Sequence, residues 1–173
     1  MDILHLAAPC RNVPVTFALD VMAIAAFRFR STNFRIDPTE DEQTNPFCYG
    51  RSLAEWLRVK LTWVGYTTEE VIPEDFGWIV VLSRGSGMLW VGCVNEHHHL
   101  YALVSPEAKP TFVPDAEPVT WEVWVAFDRP FWSLNFSKRR TRIAELEASS
   151  RKVAGEIQDL LRSESGIEML EVR

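Results

Sequence analysis

Residues 76–94 read Phe76-Gly77-Trp78-Ile79-Val80-Val81-Leu82-Ser83-Arg84-Gly85-Ser86-Gly87-Met88-Leu89-Trp90-Val91-Gly92-Cys93-Val94. Two runs, Phe76 to Leu82 and Met88 to Val94, are apolar on both faces, as a central strand requires. The Arg84-Gly85-Ser86-Gly87 stretch between them supplies turn chemistry, so the pair reads as a hairpin. Asn95 to His99 is the next turn candidate and leads to a third run, Leu100 to Val104. Trp121, Val123, Val125 and Phe127 alternate with Glu122, Trp124, Ala126 and Asp128, which predicts a further strand with one strongly apolar face. The expectation is a meander of about four to six antiparallel strands.

Upstream of this core, Ser52-Leu53-Ala54-Glu55 has the form of a capping box, in which the Ser and Glu side chains each satisfy a backbone donor at a helix start. Leu53, Trp56, Leu57, Leu61 and Val64 then make one apolar stripe, and Gly65 stands where a left-handed cap ends a helix. A helix from Leu53 to Val64 follows. A second is expected from Thr141 to Leu161, where Ile143, Leu146, Val153, Ile157 and Leu160 recur at helical spacing before Gly166. Ile167 to Val172 adds a closing strand. The fold class is therefore α+β, an antiparallel sheet packed with two main helices in a single domain over 1–173.

The flanking segments read less sharply. From Val15 to Ala26, Ala18, Val21, Met22 and Ala25 fit the spacing of a helix, so 1–26 reads as a helical N-terminal extension. Phe27 and Phe29, then Phe34 and Ile36, alternate with arginines on either side of a Ser31-Thr32-Asn33 turn or bulge. Asp37 to Gly50 is polar, contains Pro38 and Pro46, and reads as an exposed loop. Pro106, Pro110, Pro114 and Pro118 exclude a helix or central strand between Ser105 and Pro118.

Composition narrows the function classes. The 173 residues are enough to bury roughly 70% of the unfolded chain's surface without metal or disulfide. A formal charge of −6 disfavours nucleic acid, whose recognition needs a clustered basic surface, and favours a partner with a basic surface or a small molecule. Cys10, Cys48 and Cys93 form no C-x-x-C pair and read as reduced thiols of a cytoplasmic protein. The acid at Asp2 and the break at Asp20 argue against a signal peptide or membrane span.

No motif carries an obvious reaction. Ser86 is not in a G-x-S-x-G setting, and Gly85 and Gly87 are not followed by the Lys-Ser or Lys-Thr of a phosphate loop. His97-His98-His99 point in different directions on a turn or strand, so no metal site is expected there, and no cofactor. Lys138-Arg139-Arg140 with Arg142 is a basic cluster that opposes a helix macrodipole, so either the helix starts only at Thr141 or the cluster meets an acidic partner.

Gly50-Arg51-Ser52-Leu53-Ala54-Glu55-Trp56-Leu57, then Gly65-Tyr66, then Glu74-Asp75-Phe76-Gly77-Trp78 resembles a type of small uncharacterised bacterial protein with a G-x-x-L-A-x-x-L helix followed by an E-D-x-G-W strand. The resemblance covers less than a third of the chain and implies no activity.

Two function classes remain. The first is a non-catalytic binding protein of the bacterial immunity or inhibitor kind, with Trp63, Trp124 and Trp132 as candidate anchors, because Trp is enriched at binding hot spots. The second is an enzyme or small-ligand binder using Glu74 and Asp75 in a pocket near Trp78, since paired carboxylates can divide acid and base work. The absence of catalytic motifs inclines the reading to the first.

Overall fold

The computed structural model describes residues 21–84, 87–96, 118–128 and 136–171. Within them the chain forms strands β1 (Val21–Ser31), β2 (Val71–Glu74), β3 (Gly77–Arg84), β4 (Met88–Asn95), β5 (Val119–Asp128) and β6 (Ile167–Leu170), and helices α1 (Arg51–Trp63) and α2 (Phe136–Ser163). The strands make one sheet in the order β2-β3-β4-β5-β1-β6, with every neighbour antiparallel. The expected α+β class and antiparallel sheet are present. The third run, Leu100 to Val104, the proline-rich stretch before Pro118 and the His97-His98-His99 triplet lie outside the described residues.

Both helices cover the same face of the sheet. Leu53, Leu57 and Leu61 of α1 and Val153, Ile157 and Leu161 of α2 join Phe29, Trp78, Val80, Val91, Trp121 and Val125 in one core. Alternate residues of the central strands form a second cluster on the other face, with Ile79, Val81, Trp90, Trp124 and Ala126. Two apolar faces explain why β3 and β4 read as continuous hydrophobic runs.

Several elements depart from the sequence expectations. Val21 to Ala26 is strand, not helix, because β1 pairs with β5 along its whole length, from Val21 opposite Asp128 to Ser31 opposite Val119. Alanine spacing is a weak preference that pairing in a sheet overrides. Phe34 and Ile36 belong to no strand, yet both are buried, and Phe34 meets Phe29, Trp56 and Trp121 edge-on. α2 starts at Phe136, so Lys138, Arg139, Arg140 and Arg142 lie inside its first turns. Three of these four are exposed, where solvent screens their opposition to the helix dipole.

The start of α1 is the clearest correction. The N-cap is Gly50 with no capping side chain of its own, which places Ser52 inside the first turn and leaves no capping box. Glu40, in a single 3-10 turn over Glu40–Glu42, replaces it. Its Oε2 accepts the N–H groups of Gly50 at 2.9 Å and Arg51 at 3.0 Å, and its Oε1 accepts that of Asp37 at 3.1 Å. The 37–50 segment is thus only partly exposed, for Glu40, Asp41, Phe47, Cys48 and Tyr49 are buried. At the other end, Tyr66 N–H bonds the Leu61 carbonyl and Gly65 N–H that of Thr62, with Gly65 at φ 95°. This is the Schellman geometry that the glycine foreshadows.

Candidate functional site

The outer face of α1 is where the described surface is least like an ordinary solvated one. Leu53, Ala54, Leu57 and Leu61 point into the core. Val59 and Trp63, one helical turn apart, point away from it with 38% and 75% of their surface exposed, and Val64 adjoins them at 45%. They are the exposed large hydrophobic residues among those described. Val64, expected in the buried stripe, lies instead at the helix C-cap, past the last helical turn.

Trp63 is not held by the core. Its neighbour Lys60 has its Nζ 5.7 Å from the Trp63 ring and 5.4 Å from the Trp56 ring, while donating to Glu164 Oε2 at 2.7 Å. Glu164 follows α2, so the ion pair ties α1 to that helix's end and holds the ammonium between two indoles. A cation against an aromatic face is worth roughly 0.5–1 kcal/mol at an exposed site. The contact restrains an otherwise free Trp side chain.

The other residues singled out from the sequence are dispersed. Glu74 and Asp75 are exposed on the tight turn between β2 and β3, where Glu74 pairs with Gly77. Trp78 is 2% exposed and packs in the helix-side core, with the Arg51 guanidinium 5.3 Å above its ring. Trp124 is 7% exposed on the opposite sheet face, 5.9 Å from the Phe76 ring and 6.4 Å from that of Trp90. It lies over Gly92, where an added Cβ would meet the indole at 2.3 Å. Trp132 is outside the described residues. Glu74 and Asp75 thus lie at the surface and Trp78 in the core, and of the three candidate anchors Trp63 is on the described surface.

Buried polar groups gather around the loop that caps α1, among them Glu40 and Asp41 of the loop and Asn95 of β4. Tyr49 donates its N–H to Asn95 Oδ1 and accepts the Asn95 N–H at its carbonyl, both at 3.0 Å, which fastens the loop to the end of β4. Burial, reinforced by the Asp41 and Asp75 charges, pushes the Cys48 thiol up to about 12. Burial and the adjacent Asp41 likewise push the Tyr49 phenol up to about 12. The Cys93 thiol is raised by burial alone. Inert, protonated thiols of this kind are packing groups and not nucleophiles. In the exposed part of the loop, hydrogen bonds from the Thr39 backbone and side chain hold the Asp37 carboxyl below the usual carboxylate value.

Two hollows flank the first turns of α1. One, of about 350 Å³, is lined by Arg51, Glu55, Arg58, Glu70 and Val71. The other, of about 530 Å³, is lined by residues that include Arg35, Asp37, Arg51 and Glu55. Among the described residues no cluster of His, Cys, Asp and Glu could hold a metal ion, and no helix is long and apolar enough to cross a membrane.

In comparisons with known proteins, no family model, curated protein or solved structure matches this chain.

Sequence reasoning named Trp63 but missed Val59 and Lys60. The signal was present: Val59 and Trp63 sit four residues apart, both outside the Leu53, Leu57, Leu61 stripe.

Proposed function

We propose that this chain is a non-catalytic protein-binding protein that docks through the outer face of α1, with Trp63 as its anchor. The observation that carries the reading is the 75% exposure of Trp63 between Val59 and Val64. A Trp side chain spans roughly 150–250 Å², and leaving it in water forgoes several kcal/mol of burial at about 25 cal/mol per Å². Exposed Trp side chains are enriched among the hot spots of protein interfaces. Lys60 supports the reading, because an indole already restrained by a cation loses less freedom on docking.

The net charge of −6 selects the partner class, a protein with a basic surface, whose encounter an acidic chain accelerates. An inhibitor or immunity protein acting on a basic toxin or enzyme has this combination of charge and anchor. Side-by-side affinity capture from an extract of the source cells, using immobilised wild type and Trp63→Ala, tests the assignment. The expected result is a basic protein retained by the wild type at low salt and depleted from the variant. Equal retention on both would remove Trp63 from the interface.

A further inference from the structure

The edge of the sheet formed by β2 carries a second, separate feature. The β2–β3 hairpin closes at the Glu74 and Gly77 pair, with Pro73 opposite Trp78 and Val71 opposite Val80. In an antiparallel ladder, bonded and non-bonded pairs alternate. A two-residue turn closes on a bonded pair. Pro73 and Val71 therefore occupy the positions whose backbone groups point away from β3. Proline at such a position costs the ladder no donor. Val71 presents both its N–H and its C=O at the open edge, since β2 is the outermost strand on that side among the described residues.

The 350 Å³ groove lies along this edge, walled by Arg51, Glu55 and Arg58 of α1. Glu55 and Arg58 neutralise each other across 2.8 Å. Arg51 and Glu70 have no ion pair among the described residues, and they mark two places along β2. Arg51 lies over Trp78, the partner of Pro73, and Glu70 precedes Val71. An exposed strand edge beside a helix wall is a geometry that accepts an extended peptide, main-chain bonds giving affinity and flanking groups giving selectivity.

We propose that the groove between α1 and β2 takes an extended peptide segment of a partner protein as an added strand beside β2, with an acidic side chain against Arg51 and a basic one against Glu70. Pro73 confines main-chain pairing to the neighbourhood of Val71, so the two charges carry the selectivity. The site is independent of the Trp63 reading, because at about 100° per residue Trp63 stands roughly a third of a turn around α1 from Arg51 and Arg58.

Panning the full chain against a phage-displayed library of random octapeptides tests this directly. The expected outcome is enrichment of peptides carrying one acid and one base. Their synthetic forms should bind at least tenfold more weakly to Arg51→Glu and to Glu70→Lys, and charge-reversed peptides should recover binding to the double variant. Hydrogen exchange at the Val71 amide should slow when the peptide is bound. Both substituted residues are exposed, so the variants should melt with the wild type, and Arg51→Gln and Glu70→Gln replace any that do not. No enrichment over the bare support overturns the proposal. So do selected peptides whose affinity ignores both substitutions, or whose binding is lost on Trp63→Ala instead.

Discussion

The Glu40 carboxylate caps a helix that begins eleven residues later in the chain, accepting the Gly50 N–H at 2.9 Å and the Arg51 N–H at 3.0 Å. A buried acceptor serving several backbone donors is worth more than a single surface cap. Glu40→Ala should therefore cost about 2 kcal/mol of stability, whereas Ser52→Ala, which removes no capping bond, should stay within about 0.5 kcal/mol. Urea denaturation of the two variants decides it. A Ser52 loss equal to or larger than the Glu40 loss would restore the capping-box reading.

Gly50 and Gly92 both lack room for a side chain, but against different neighbours. An added Cβ would lie 2.5 Å from the Cys93 carbonyl oxygen at Gly50, and 2.3 Å from the Trp124 ring at Gly92. A strand carbonyl in the centre of a sheet cannot step aside, while an indole can rotate at the expense of its packing. Gly50→Ala should be the more destabilising, by more than about 2 kcal/mol, as overpacking in a rigid place is. Gly92→Ala should be milder and should shift tryptophan fluorescence in the folded state. The reverse order in thermal melts would show that the Trp124 packing is the stiffer of the two.

Alkaline stability follows from Cys48 and Tyr49. Both have folded-state values pushed up to about 12, above ordinary values of 9.0 and 10.0. Between the ordinary and the raised value the native state holds a proton that the unfolded chain has released. Stability should then fall as pH rises above about 9, with a slope up to about 1.4 kcal/mol per pH unit for each group. The slope of stability against pH from about 8.5 to about 10.5, to which the buried Cys93 thiol contributes as well, should become shallower in Cys48→Ala. An unchanged slope would place the thiol in contact with water.

The parts of the fold readable from sequence are those whose signal is local and redundant. β3 and β4 were visible because both faces of each are apolar, and the end of α1 because Gly65 is the one residue type that takes φ 95° without strain. The start of α1 was misread because its cap comes from Glu40 in another segment, and no spacing rule around Ser52 contains that information. β1 was misread over Val21 to Ala26 because its strand state depends on β5, almost a hundred residues later. The candidate surface was half legible. Trp63 stood outside the apolar stripe of its helix, while Trp124 has the same residue type and lies packed against Gly92, Phe76 and Trp90. Residue type alone does not separate an anchor from a core indole.

The claim that Trp63 anchors a complex with a basic protein is tested most directly by titrating the captured partner, once purified, against wild type and Trp63→Ala in a calorimeter at low and moderate salt. Trp63 contributes little to the free fold, so the two chains should unfold together. The variant should nevertheless bind at least thirtyfold more weakly, the equivalent of about 2 kcal/mol, and binding of the wild type should weaken as salt rises. A variant that binds as tightly as the wild type would contradict the account.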